Sequence, residues 1–312
     1  MVRNQPSSWL VVPPARVAVL GLGRMGLPIA RALCKAGYNV QAWNRTPKLG
    51  SDDISLDGAV VHGLPTKAVE GADVVLLSLT DGIAIEKVLF DTGSVEQMKP
   101  NAIVVDTSTT GPTNARAHAI RLGALGLGYL DAPVSGGVKG AIDRSLTILV
   151  GGDTKTFARV QPLFVSLGVP HHLGPVGAGQ TAKLANQIVV AGYIAAVAEG
   201  IRFCEQQRID ALEVVQALEG GFADSKILRQ HGRRMAQRSF EPGGTCSLHL
   251  KDLLLANELL GSNAPHYGVL QLVKNHFSAL VAGGKGELDH SAYFLDCDNA
   301  NASAGADNGS SP

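Results

Sequence analysis

Short apolar runs alternate with helix-like segments through the first half of the chain. From Arg16 onward the runs are Val17 to Leu20, Val40 to Trp43, Val74 to Leu79, Ile103 to Val105, Tyr129 to Ala132 and Leu146 to Val150. Each is brief, rich in β-branched residues and apolar at successive rather than alternate positions, the pattern of a strand buried on both faces. The pieces between them predict helices. Pro28 to Ala36 stops at Gly37, a residue suited to a left-handed cap, and Thr66 to Gly71 repeats this on a shorter scale. Strand and helix in alternation predict βαβ units and a parallel sheet.

The pattern changes after Gly174-Pro175-Val176-Gly177-Ala178-Gly179. Gln180 to Gln207 contains no proline and predicts one helix of roughly 25 residues, apolar nearly all round. Such a helix is expected to be buried between other elements and partly covered by a second subunit, making the protein a homodimer or homotetramer. Ala211 to Glu219, Lys226 to Arg238, Leu248 to Leu260 and Val269 to Val281 carry helical spacing with no strand pattern between them. The expected fold class is α/β, a Rossmann-type doubly wound parallel sheet followed by an all-α domain. The boundaries read 1–15 for an N-terminal extension, 16–176 for the nucleotide-binding domain, 177–295 for the helical domain and 296–312 for a tail too polar to order itself.

Composition narrows the function classes. A chain of 312 residues exceeds what one core usually organises, and 45% hydrophobic against 17% charged residues supports compact domains. The 27 basic and 27 acidic residues cancel, so there is no general drive towards nucleic acid or anionic membrane, and neither is an expected partner. Cys34, Cys204, Cys246 and Cys297 form no C-x-x-C pair and no metal-ligand spacing, which predicts reduced thiols and no metal site. The apolar patch at Trp9 to Val12 ends at Pro13-Pro14, too short for a signal peptide. No run of apolar residues approaches the ~20 needed to cross a bilayer. A soluble protein of a reducing compartment, the cytoplasm, is expected.

Val17 to Leu20 runs straight into Gly21-Leu22-Gly23-Arg24-Met25-Gly26 and then a helix. In that context Gly21 permits the tight turn, Gly23 lets backbone approach a pyrophosphate, Gly26 lets helix and strand pack closely, and the helix N-terminus supplies N–H groups. An NAD enzyme usually places an acid about 20 residues further on to hold the ribose hydroxyl. Here Trp43-Asn44-Arg45-Thr46 offers no acid. Arg45 would pair with a 2′-phosphate, with Asn44 and Thr46 adding neutral hydrogen bonds, so NADPH is the expected cofactor. Leu79, Thr80 and Thr109 follow later strands of the sheet and are candidate nicotinamide-side contacts.

Two further segments carry candidate chemistry. Asp131-Ala132-Pro133-Val134-Ser135-Gly136-Gly137, followed by Gly140-Ala141, offers a hydroxyl at Ser135 and open N–H groups at Gly136 and Gly137 as a clamp for a carboxylate. In Lys183-Leu184-Ala185-Asn186-Gln187, Lys183 and Asn186 share a helix face, and an enclosed lysine there would have a depressed pKa.

The glycine fingerprint, the Ser-Gly-Gly block, the Gly-x-Gly-x-x-x-Lys-x-x-Asn block at Gly177 to Asn186 and Leu250-Lys251-Asp252-Leu253 together resemble the β-hydroxyacid dehydrogenases, in that family's order, from about Arg16 to Leu295. The resemblance implies that Lys183 is catalytic, that Asn186 orients substrate, that Ser135 to Gly137 bind its carboxylate, and that Lys251 lies at the cofactor and substrate cleft. Lys-Leu-Ala-Asn-Gln, His249-Leu250-Lys251-Asp252 and the late Asp289-His290-Ser291-Ala292 look most like the members that reduce tartronate semialdehyde. The implied activity is NADPH-dependent reduction of a small 3-oxo carboxylate, with 3-hydroxyisobutyrate, succinate semialdehyde or glyoxylate as alternative substrate types. Phe222, Ser225 and His249 are candidate pocket-lining residues.

Three departures bear on the carry-over. Gln187 stands where a second Asn is frequent, Arg144-Ser145 replaces a usual Gly-Thr pair and so predicts a differently shaped turn, and Trp43-Asn44-Arg45-Thr46 differs from the NAD-using members. Imine reductases usually lack the lysine matching Lys183, non-catalytic relatives lose it and carry basic extensions, and 6-phosphogluconate dehydrogenases need a far longer helical domain. All three therefore fit less well.

Overall fold

The computed structural model describes residues 10–46 and 58–295; positions 1–9 and the tail expected over 296–312 lie outside the described residues. The chain divides into two compact units between Lys183 and Leu184. The first carries β1 (Arg16–Leu20), α1 (Gly26–Lys35), β2 (Asn39–Trp43), β3 (Val60–His62), α2 (Pro65–Val69), β4 (Val74–Leu77), α3 (Gly82–Glu86), β5 (Ile103–Asp106), α4 (Pro112–Ala124), β6 (Gly128–Asp131), β7 (Val134–Ser135), α5 (Gly137–Ile142), β8 (Leu146–Gly152), α6 (Thr154–Val165) and β9 (Gly168–Gly174). The long helix α7 (Ala178–Gln206) follows, then α8 (Ala211–Leu218), α9 (Arg233–Ala236), α10 (Cys246–Leu260) and α11 (Gly268–Ala282).

The sheet has the order β3-β2-β1-β4-β5-β6-β8-β7, with β9 also on β8. Strands β1 to β6 are mutually parallel, and the order reverses between β1 and β4, the switch point at which doubly wound sheets bind ligands. The two-sided apolar pattern is realised as two cores. Val17, Val19 and Val74 pack with Ile29, Leu33 and Phe164 on one face, while Ala18, Leu20 and Val75 pack with Val69, Ile85 and Leu122 on the other. Val11, from the segment read as an extension, packs in the first core and donates its N–H to the Arg159 carbonyl.

All six expected strands form, but the sheet is not wholly parallel. Strand β8 runs antiparallel to β6 and β7, with α5 and the turn after it lying between β7 and β8. In the turn before β8, Arg144 takes φ 55°, the left-handed conformation that glycine adopts freely, and Ser145 N–H bonds to the Gly140 carbonyl at 2.9 Å.

In the helical unit Ala191, Ile194, Ala198 and Ile201 form one stripe of α7, and Leu270, Val273, Phe277 and Leu280 form a matching stripe of α11 within the same core. Burying each large side chain of this kind contributes about 1.5–3 kcal/mol. The expected helix over Lys226 to Arg238 is interrupted by a widened π turn at Leu228–Gly232, where Ser225 Oγ accepts from Leu228 N–H. Helix α7 itself corrects two expectations. It is 29 residues long and apolar enough to cross a bilayer by length and composition alone, and it is not buried all round. Val189, Tyr193 and Phe203 are 55%, 51% and 66% exposed along the side opposite its core stripe.

Candidate active site

In the sheet unit the expected cofactor residues gather at the carboxyl ends of adjacent strands. Gly21 leaves β1 with φ 100°, and a Cβ on Gly26 would lie 1.8 Å from the Gly21 carbonyl oxygen, so no larger residue fits where α1 meets the loop. Leu22 is buried, Met25 is half-buried, and Gly23 and Arg24 are exposed, with open space outside the Gly23 α-carbon. After β2, Asn44 accepts from Leu22 N–H at 2.9 Å and donates to the Thr46 carbonyl at 2.8 Å. Its amide therefore braces the glycine loop, while Arg45 and Thr46 are exposed. After β4, Leu79 N–H bonds to Ser108 Oγ at 2.9 Å, which ties the Leu79-Thr80 loop to the Ser108-Thr109 loop after β5. A backbone loop opening onto a helix N-terminus, with a guanidinium exposed at the end of β2, fits an anionic dinucleotide.

Ser135 closes β7, and Gly136 and Gly137 follow at φ 125° and 63°, both exposed. Lys183 is half-buried on the second turn of α7. That turn is held by two buried polar residues to which the sequence reading assigned no role. Asp131, at the end of β6, accepts from Gly177 and Gln180 N–H groups at 2.8 Å each, placing a carboxylate on the helix N-terminus. Gln180 is fully buried; its Oε1 accepts from Thr110 and Gly111 N–H groups and its Nε2 donates to the Ser108 carbonyl. These bonds pull the first turn of α7 onto the sheet, and the compact sheet unit extends to Lys183. The legible signal was the glycine spacing: a Cβ on Gly179 would lie 2.3 Å from the Leu149 carbonyl oxygen, so the helix start touches the β8 backbone.

Burial raises both carboxylates of this region. Asp106, wholly buried, is pushed up to about 6 by desolvation against hydrogen bonds from Ser108 and Tyr129. Desolvation also raises Asp131, opposed by the Gly177 and Gln180 N–H groups.

In the helical unit Asn186 and Lys251 meet through intermediaries. Asn186 Nδ2 donates to Gln187 Oε1 at 3.0 Å, Gln187 Nε2 donates to Asp252 Oδ2 at 2.8 Å, and Lys251 Nζ lies 3.1 Å from Asp252 Oδ1. The candidate pocket-lining trio does not come together. Phe222 is fully exposed, Ser225 caps the turn described above, and His249 is 2% exposed with both ring nitrogens engaged, Nε2 on the Gln187 carbonyl and Nδ1 on His290.

Comparison with known proteins accords with this architecture. Residues 16–177 match the model for the NAD-binding domain of 6-phosphogluconate dehydrogenase, and residues 177–295 match the model for the NAD-binding domain of NADP-dependent 3-hydroxyisobutyrate dehydrogenase. The chain is 40% identical to 2-hydroxy-3-oxopropionate reductase of Escherichia coli, over 89% of this chain and 95% of that one. Among solved structures it is similar to Mycobacterium tuberculosis 3-hydroxyisobutyrate dehydrogenase with L-serine, at TM-score 0.78 and 29% identity, covering 90% of this chain and 98% of that one. A 3-hydroxyisobutyrate dehydrogenase from Salmonella typhimurium gives TM-score 0.82 at 25% identity, covering 90% and 99%. With both of its units matched in order and a curated relative covered almost end to end, this chain belongs to the β-hydroxyacid dehydrogenase family and is an NAD(P)-dependent oxidoreductase acting on the hydroxyl group of hydroxy acids.

Proposed function

We propose that the protein reduces a small 3-oxo carboxylate, tartronate semialdehyde first among candidates, to the 3-hydroxy acid with NADPH, and that Lys183 is the general acid. The observation that carries the reading is Lys183 itself, on a helix turn anchored by Asp131 and Gln180, in a chain 40% identical to a 2-hydroxy-3-oxopropionate reductase. Bound NADPH supplies the hydride. As the aldehyde oxygen gains charge, the Lys183 ammonium stabilises it and donates a proton, leaving a neutral amine and the product hydroxyl. Ser135 Oγ with the Gly136 and Gly137 N–H groups clamps the carboxylate, Asn186 orients it from one helical turn beyond Lys183, and Lys251 adds positive charge. Arg45 selects NADPH by pairing with the 2′-phosphate, since no acid stands at the end of β2.

The test is initial rates on a panel of tartronate, methylmalonate and succinate semialdehydes and glyoxylate, each with NADPH and NADH. The expected result is the highest kcat/KM for tartronate semialdehyde with NADPH. A preference for NADH overturns the cofactor assignment, and a higher kcat/KM for another acid overturns the substrate. We also propose that a second copy covers the Val189, Tyr193 and Phe203 stripe. Light scattering should then return a multiple of 32.5 kDa, and a monomer at micromolar concentration contradicts it.

A further inference from the structure

Two amides on consecutive residues of α7 form a hydrogen-bonded chain that ends at a carboxylate of α10. Asn186 Nδ2 donates to Gln187 Oε1 at 3.0 Å, and Gln187 Nε2 donates to Asp252 Oδ2 at 2.8 Å. Asn186 and Gln187 are half-buried, and Asp252 is buried with Lys251 Nζ 3.1 Å from its other oxygen.

The two ends of a side-chain amide are nearly alike in shape, so packing alone does not decide which way Asn186 or Gln187 faces. The chemistry of the chain does. The oxygens of the Asp252 carboxylate, paired with the Lys251 ammonium, only accept, so Gln187 must turn its NH2 group towards them. The other end of Gln187 is then its carbonyl oxygen, which also only accepts, so Asn186 must turn its own NH2 group towards Gln187. Reversing Asn186 alone sets oxygen against oxygen, and reversing both amides sets the Gln187 oxygen against the carboxylate; either loses a hydrogen bond. Asn186 Oδ1 is therefore fixed at the corner of its amide directed away from Gln187. An oxygen so directed serves a donor. Lys183 stands three residues before Asn186 on the same continuous helix, and side chains at that spacing are neighbours on one face. Its ammonium has three hydrogens and no acceptor, so it pairs with the Asn186 oxygen and would be repelled by the NH2 group.

We propose that Gln187 and Asp252 are positioning residues for Lys183. By fixing the polarity of the Asn186 amide they make it an acceptor that holds one hydrogen of the lysine ammonium and so aims another at the substrate's carbonyl oxygen. Once that proton is given up, the amine keeps two hydrogens, and the hold on Asn186 survives the transfer. Asn186 Nδ2 carries a second hydrogen besides the one on Gln187, and this one serves the substrate carboxylate, so a single amide orients both the acid and the substrate. Glutamine at position 187 gives the arrangement its reach: its NH2 group meets Asp252 on α10 while its oxygen stays beside Asn186. This inference rests on the reading of Lys183 as the general acid.

The test is a double-mutant cycle on the full-length protein, with tartronate semialdehyde or whichever acid of the panel has the highest kcat/KM. Gln187→Met keeps the length of the side chain, and it leaves in place both the pairing of Asp252 with Lys251 and the His249 bond to the backbone carbonyl of residue 187. It should lower kcat by roughly fivefold to a hundredfold, the loss of a hydrogen bond to a charged group, while NADPH titration returns the wild-type dissociation constant. Most of that loss should vanish when Gln187→Met is made in Lys183→Ala, because the group it positions is gone, and again when it is made in Asn186→Ala, because the link is gone. A loss of equal size in the Lys183→Ala background would show that Gln187 acts on the substrate or the fold, and would overturn the proposal; so would a wild-type kcat in Gln187→Met. The functional reading fails separately: it falls if Lys183→Ala alone turns over like wild type, whereas an essential lysine with additive losses overturns only the relay.

Discussion

The two units hold the same helix by different chemistry. The sheet unit fixes the first turn of α7 with Asp131 and Gln180, whose partners are all backbone N–H and carbonyl groups. The helical unit fixes Gln187 with His249 and Asp252, whose partners extend through other titratable side chains to Asp289 and Lys251. Lys183 therefore sits on a turn held through backbone groups, while Asn186, one turn further, is held through a relay of side chains.

The contrast is broken most severely at Gln180. Gln180→Leu leaves two buried N–H groups and one carbonyl without their partner, at a cost of roughly 3 kcal/mol or more, read as a lowered denaturant midpoint. An unchanged midpoint would show that water replaces the amide.

Asp106 sharpens the same comparison through pH. Its folded pKa of about 6 lies above its ordinary 3.8, so its contribution to stability is complete below the ordinary value and is lost as pH rises through about 6. Asp106→Asn should remove that loss, gaining on the order of 2–3 kcal/mol relative to wild type at pH 8 and little at pH 4. Thermal unfolding of both proteins at the two pH values checks it, and equal differences at pH 4 and 8 would contradict the assignment.

Arg45→Ala should reduce kcat/KM for NADPH by roughly tenfold to a hundredfold and leave NADH nearly unchanged, the effect of losing a charge-assisted phosphate contact. The cofactor ratio is the readout. The smallest effect is expected at Arg144, where glycine relieves a left-handed backbone at some entropic cost. Arg144→Gly should stabilise by about 0.5–1 kcal/mol, seen as a slightly higher Tm.

The six central strands were legible because burial on both faces leaves no alternative to continuous apolar runs. Strand β9 was not, since Gly168–Gly174 contains Pro170, His171 and His172 and its exposure alternates. The direction of β8 was hidden for another reason: hydrophobicity records depth, and antiparallel and parallel strands can be equally deep. The glycine loop and Lys183 stood out by residue type and spacing. Asp131, Gln180 and Gln187 did not, because a buried, satisfied polar side chain looks like a surface one until its partners, as much as 72 residues away for Gln180, are known. His249 and His290 are 41 positions apart, and only the fold joins them.

The central claim, that Lys183 performs proton transfer while the glycine loop and Arg45 hold the cofactor, is tested most directly by one paired measurement on Lys183→Ala. NADPH fluorescence titration and turnover of tartronate semialdehyde are recorded on the same preparation. The account predicts a dissociation constant near that of wild type together with a rate lower by about a hundredfold to ten-thousandfold, the usual cost of losing a positioned acid. Turnover close to wild type, or a rate loss matched by an equal loss of NADPH affinity, would contradict it.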